Sequence, residues 1–171
     1  MEVYQVIKIR RSVRDYKSDP VPEESLKKIL DAARLAPSAH NSQQWKFIVV
    51  RNLEKRKQLA RAAHNQNFIA QAPIVIIAVS LDPEHLMSCG VPAYAVDLAI
   101  AADHMSLVAV EEGLGTCWIG AFSQQEVKEI LQIPEQYKVV ALLPIGFPAD
   151  QPKPKSRKDL EEIVCEEIFK E

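Results

Sequence analysis

Arg10, Ser12 and Arg14 alternate along "IKIRRSVRDYK", residues 7–17, a stretch holding five cations and one carboxylate in eleven positions. If the chain is extended there, the three side chains project to one side while Arg11 and Val13 project to the other. Two guanidiniums and a hydroxyl then converge, which suits a phosphate monoester whose dianion accepts charge-assisted, bidentate arginine hydrogen bonds. A solvated basic helix end, favoured by the helix dipole, accounts for the same residues. A second basic group, "KPKSRKD", brings Lys153, Lys155, Arg157 and Lys158 near the other end of the chain, again around a serine. Two such groups repel one another if folded together, unless an anion neutralises them. Two separate surface patches are the alternative.

Between them, "APSAHNSQQW", residues 36–45, offers the amide and hydroxyl groups of Ser38, Asn41 and Gln43 at the end of a helical pattern. Such a loop can read the donor and acceptor edge of a heterocycle, or it is an ordinary turn. His40, His64, His85 and His104 are scattered without a partner at ligand spacing, so no metal site is expected. No phosphate-binding loop, zinc-protease helix or nucleophile elbow is present. "GLGTCWIG" follows a helical pattern instead of linking a strand to a helix, which is the wrong order for a dinucleotide fingerprint. Gly113 there fits a helix C-terminus followed by a tight turn into a strand.

The elements that position these residues follow from periodicity. Val3, Val6 and Ile7 mark a short first helix over about the first ten residues, and Leu26, Ile29, Leu30 and Ala33 a second over 22–35. "WKFIVV" (45–50), "APIVIIAVS" (72–80) and "KVVALLPIG" (138–146) read as strands, the second apolar throughout as a strand covered on both faces is. Pro144 points to a strand end or edge. Helical patterns fill 53–63, 92–112 and 123–131, the last with Ser123 placed to cap it. The interleaving argues for a sheet between helical layers. Six alanines between Ala93 and Ala109 let another helix approach closely, within one chain or across a subunit interface.

With 171 residues and 47% hydrophobic content, one core and a single domain over 1–171 are expected. "PADQPKPKSRKD", 148–159, begins an exposed arm. A net charge of −2 argues against general nucleic-acid binding, so no nucleic-acid partner is expected. Three distant cysteines and an N-terminus without an apolar run suit a cytoplasmic, reducing setting. Asp97, Asp103 and His104 interrupt the apolar stretch 94–110, which is read as a helix buried in protein and not in a membrane.

Taken in order, "RRSVRDY" at 10–16, "APSAHNSQQW" at 36–45, "GLGTCWIG" at 113–120 and "PKSR" at 154–157 resemble the nitroreductase family of FMN-dependent oxidoreductases. The resemblance implies an α+β fold, a three-layer α/β/α sandwich with a mostly antiparallel central sheet. It also implies a homodimer with FMN sites at the subunit interface, the arm 148–171 packing on the partner. Arg10 and Ser12 then hold the flavin phosphate with Lys155 and Arg157, and Arg11 adds backbone or ribityl contacts. Arg14 lies beside the pyrimidine, where its charge stabilises a reduced, anionic flavin. Pro37, Ser38 and Asn41 reach the flavin from the partner subunit. Asn65 and Gln66 fall where an amide reads the pyrimidine edge, and Ile119, Gly120 and Ala121 lie against the isoalloxazine.

The activity implied is hydride transfer from NADH or NADPH through the flavin to a small-molecule acceptor, a nitro compound or quinone, by alternating occupancy of one site. No side chain is assigned as acid, base or nucleophile. A flavin oxidase or reductive dehalogenase on the same cradle is the rival enzyme, and a sensor of phosphorylated ligands or RNA the rival outside enzymes. Two departures stand out: Phe68 occupies a position where some relatives have lysine, and only "LDPEHLMSCG" separates the second strand from the long helix, which implies an open pocket.

Overall fold

Ile74, Ile76 and Ala78 alternate with Val75, Ile77 and Val79 along one strand, β2 (Ile74–Ser80), and all seven of its residues are buried. An apolar run without polar alternation has no solvent face, so helices must cover the sheet on both sides. The computed structural model shows this arrangement. It describes residues 1–150 and 152–170; Gln151 and Glu171, both within the expected arm, lie outside the described residues.

The four strands are β1 (Trp45–Val50), β2, β3 (Gly115–Thr116) and β4 (Lys138–Gly146). Their order in the sheet is β1-β2-β4-β3, and every neighbouring pair is antiparallel. The helices are α1 (Val3–Ile9), α2 (Glu23–Arg34), α3 (Leu53–Ala62), α4 (Phe68–Gln71), α5 (Ala93–Glu111) and α6 (Gln124–Leu131). On one face, Ile74, Ile76, Leu143 and Ile145 pack with Leu26, Ile29 and Ala33 of α2 and Ala101, Met105 and Ala109 of α5. On the other, Val75, Ile77, Val79 and Leu142 pack with Leu59 of α3, Ile69 of α4 and Val127 of α6. The α+β, three-layer expectation holds.

Local chemistry sets the element ends. Ser123 caps α6, its hydroxyl accepting the Glu126 N–H, and Asn52 caps α3 in the same way. Gly113, at φ +75°, ends α5: the Leu114 N–H reaches back to the Ala109 carbonyl, the 6→1 bond of a left-handed helix stop. Pro144 lies in an inner strand, not at an edge. Its carbonyl and nitrogen point to the same side as those of Leu142, which pairs with Ile119. β3 pairs only with Ile145 and Gly146, so on that side Pro144 falls in a gap in the ladder and no N–H is needed. The short α4 has too few residues for its period to be visible in the sequence.

β3 is short because it has a second task. Ser12 forms a parallel bridge with Thr116, and the Val13 N–H donates to the Thr116 carbonyl at 2.9 Å, so the basic stretch joins the sheet edge. The approach is close at Gly115, where a Cβ would lie 2.4 Å from Val13 Cγ2. Gly115→Ala is therefore expected to destabilise the protein by about 1–3 kcal/mol through overpacking. Adding Val13→Ala should recover part of that loss in a denaturant melt, and equal stability of wild type and Gly115→Ala would show that the contact is not tight.

Candidate functional site

The basic stretch leaves α1 at Arg10 and does not stay helical. Arg11 departs from the simple alternation expected of it. Its guanidinium turns back to donate to the Lys8 and Arg10 carbonyls, satisfying acceptors that the end of α1 leaves open. Beyond it, Val13 and Tyr16 are buried and Arg14 is exposed. The Tyr16 hydroxyl donates to the Val13 carbonyl at 2.9 Å and the Pro144 carbonyl at 3.3 Å, fastening the stretch to β4. Burial holds the Tyr16 phenol above its ordinary pKa, with Cys117 adding to the rise and Arg14 opposing it, so the hydroxyl remains a donor.

The same stretch captures the far end of the chain. Lys17 N–H donates to the Phe147 carbonyl, Tyr16 bridges Pro148 antiparallel, and Ala149 N–H donates to the Asp15 carbonyl. The far segment is thereby held alongside the basic stretch. Accordingly, Arg10, Arg11, Ser12, Pro152, Lys153, Lys155 and Arg157 line one cleft. Of the expected phosphate group, Arg10, Ser12, Lys155 and Arg157 are all brought together; Arg11, expected at the ribityl chain, lines the same cleft, and Lys153 joins them.

That cleft is rich in positive charge. None of its five cations forms a salt bridge with a carboxylate among the described residues. The cation-and-hydroxyl donor set fits an anion of high charge density, and a phosphate monoester fits it well. The Cys117 thiol lies beside this cluster: burial pushes its pKa up, while Arg14, the Ser12 hydroxyl, Arg10 and Lys155 pull against that rise. Arg10 and Ser12 line the cleft together with Arg11, which alternation sends to the other side, while Arg14 is not among its lining residues. Arg14 stands 6.0 Å from the centre of the Phe68 ring, which α4 supplies from the next layer.

Other expected residues cluster in two places. Gln66 Nε2 donates to the Ala63 carbonyl and, at 3.3 Å, to that of Ala121, so the 63–66 turn touches the 119–121 segment. Asn65 is exposed in a left-handed conformation, φ +60°. Gly120 and Ala121 are exposed, whereas Ile119 is buried in the core with both backbone groups bonded to Leu142. Pro37, Ser38 and Asn41 lie apart from these, on a loop where His40, Asn41 and Gln43 all have φ near +53° to +55°. Left-handed backbone at non-glycine residues costs about 1–2 kcal/mol each, so other contacts must hold this loop.

Sequence reasoning missed Cys117 and Tyr16 as neighbours of the cleft and the contact of Phe68 with Arg14, and it named Lys153 only as part of the second basic group. It also missed Asp97, 7% exposed on α5, whose Oδ1 accepts the Ala39 N–H at 3.0 Å. The available signal was a carboxylate within an apolar helix, which needs a partner when buried.

The profile of the nitroreductase family matches residues 7–86 and 64–147. The structure is similar to that of a nitroreductase family protein from Clostridium novyi, with a TM-score of 0.84 and 40% identity over 95% of this chain and 91% of that one. It is also similar to an FMN-dependent nitroreductase from Clostridium difficile, with a TM-score of 0.85 and 33% identity over 96% and 98%. In sequence it is 32% identical to an FMN reductase [NAD(P)H] from Bacillus subtilis, over 98% of this chain and 74% of that protein.

The three free thiols give a direct test of packing at the cleft. Cys89 and Cys165 are exposed and Cys117 is buried with its pKa raised. A thiol reagent near neutral pH is expected to modify the first two quickly and Cys117 only on unfolding. Rapid modification of all three in the folded protein would contradict the packing around Ser12.

Proposed function

The chain belongs to the nitroreductase family, and from this premise we propose that its two basic segments hold FMN and that its acceptor is a flat nitro compound or quinone. The protein is an NAD(P)H-dependent flavin oxidoreductase. When bound, FMN would supply the redox chemistry, two-electron reduction by NADH or NADPH followed by reoxidation by the acceptor.

The observation that carries this reading is the cleft of Arg10, Arg11, Ser12, Lys153, Lys155 and Arg157, a concentration of cations that forms no salt bridge with a carboxylate among the described residues. These residues would bind the phosphate, the fixed forks of the arginines orienting it and the Ser12 hydroxyl donating to it. Arg14, outside that cleft and beside Phe68, would place positive charge where electron density accumulates on the ring. Gln66, tied to the Ala121 carbonyl, would present its side chain together with Asn65 at the pyrimidine edge, while the backbone of Gly120 and Ala121 borders the ring. Ile119 would support that segment from the core.

Pro37, Ser38 and Asn41 lie in a loop apart from this cleft, which is consistent with their serving a second subunit. The exposed apolar residues support the same assembly. Val3, Tyr4 and Ile7 on α1, and Leu160, Ile163, Val164, Ile168 and Phe169 on the arm, face solvent in one chain, with Phe169 84% exposed. A homodimer in which the arm of one chain crosses the other covers that surface. Residues 1–171 then form one domain with the arm as its swapped extension, and the free cysteines suit a cytoplasmic setting.

The purified protein is expected to carry or take up FMN with a visible flavin spectrum, bleached anaerobically by NADH or NADPH and restored by a nitroaromatic or quinone. Arg157→Glu should weaken FMN retention roughly tenfold to hundredfold with a smaller effect on reduction rate once loaded. Arg14→Ala should slow reduction about tenfold with little loss of retention. Failure to bind FMN refutes the reading, and equal effects of both changes on both quantities refute the division of roles.

A further inference from the structure

The loop between α2 and β1 is held in an unfavourable shape by one buried side chain from another element. Ser38 precedes a single 3-10 turn, Ala39–Asn41, in the position of a cap. Its hydroxyl is committed elsewhere, accepting the Gln43 N–H at 3.0 Å. The first N–H of the turn, that of Ala39, is one that a capping side chain at residue 38 does not reach, and its acceptor is Asp97, 58 residues further along the chain on α5 but adjacent in space. Asp97 is the only buried carboxylate among the described residues, and the Ala39 N–H is the only hydrogen-bond donor recorded to it. The rest of the loop is tied down through its backbone, Trp45 N–H to the Gln43 carbonyl and Leu81 N–H to that of Gln44. His40 rests edge-on against His85, ring centres 6.5 Å apart. Among the described residues, Asp97 provides the one side-chain hydrogen bond that connects Ser38–Asn41 to the body of the protein.

We infer that Asp97 is a positioning residue for the flavin site of the partner subunit: by accepting the Ala39 N–H it fixes Ser38 and Asn41 in the conformation in which they meet the cofactor held by the other chain. This rests on the reading that the loop serves a second subunit. Asp97 touches no cofactor itself. It supplies an acceptor to an N–H that the turn itself leaves open, and α5 provides it from a buried position where an unpartnered carboxylate is unfavourable.

Subunit complementation tests this. Asp97→Ala and Arg157→Glu are each made as homodimers and as a mixed dimer carrying one of each, and FMN affinity is read by flavin fluorescence on the apoproteins. Each homodimer is expected to bind FMN about tenfold or more weakly than wild type. The mixed dimer is expected to regain one tight site, formed by the intact cleft of the Asp97→Ala chain and the intact loop of the Arg157→Glu chain. Asp97→Asn, whose amide oxygen still accepts, should bind close to wild type. Ala39→Pro, which deletes the N–H and keeps the carboxylate, should match Asp97→Ala and serves if that variant does not fold; residue 38 is already extended, as a residue before proline must be. Wild-type affinity in Asp97→Ala or Ala39→Pro, or a mixed dimer with no tight site, overturns the inference. Tight binding by Arg157→Glu overturns the cleft reading instead, and the Asp97→Ala and Asp97→Asn affinities then still decide the role of Asp97.

Discussion

A concentration of positive charge in one cleft governs this structure. Five cations from the two ends of the chain share one cleft, and none is paired with a carboxylate among the described residues. Their mutual repulsion has to be met by contacts made elsewhere, and those contacts are backbone ones. Val13 bonds to Thr116, while Asp15 and Lys17 bond to Ala149 and Phe147. Tyr16 locks the strip from below. Backbone contacts of this kind preorganise the cleft, so little of an anion's binding energy goes into ordering it.

The glycines show how closely that assembly is built. Gly115 and Gly146 face one another in the β3–β4 pair, and a side chain on either would collide, with Val13 at the first and with Pro73 and Tyr16 at the second. The basic strip can lie flat on the sheet edge because two facing positions carry no Cβ. On the other side of the sheet, the alanines of α5 divide between two roles. Ala101, Ala102 and Ala109 pack with α2 in the core, whereas Ala95 is exposed on the side that also shows Val96.

Much of this was legible from residue order. The long elements were, because their apolar periods are unbroken: β2, α2, α5 and β4 lie within a residue or two of where the pattern placed them. The two basic segments were legible as candidates because charge so concentrated has few structural uses. Their adjacency was not, since it depends on the register between 15–17 and 147–149, which no local pattern encodes. Arg11 was misjudged because helix ends recruit donors and so override strand alternation. Asp97 was noticed only as an obstacle to membrane insertion; its partner is a backbone N–H, invisible in any sequence. Phe68 could be seen as a departure from relatives, but its contact with Arg14 follows from α4, too short to announce itself.

The central claim is that the cleft recognises a phosphate, and comparison of FMN with riboflavin reads that claim without any enzymatic assay. The two share the ring and ribityl chain and differ by the phosphate. Fluorescence titration of the apoprotein is predicted to give FMN an affinity at least about a hundredfold greater, a gap that narrows as salt is raised. Equal affinities for the two, unaffected by salt, would contradict the account.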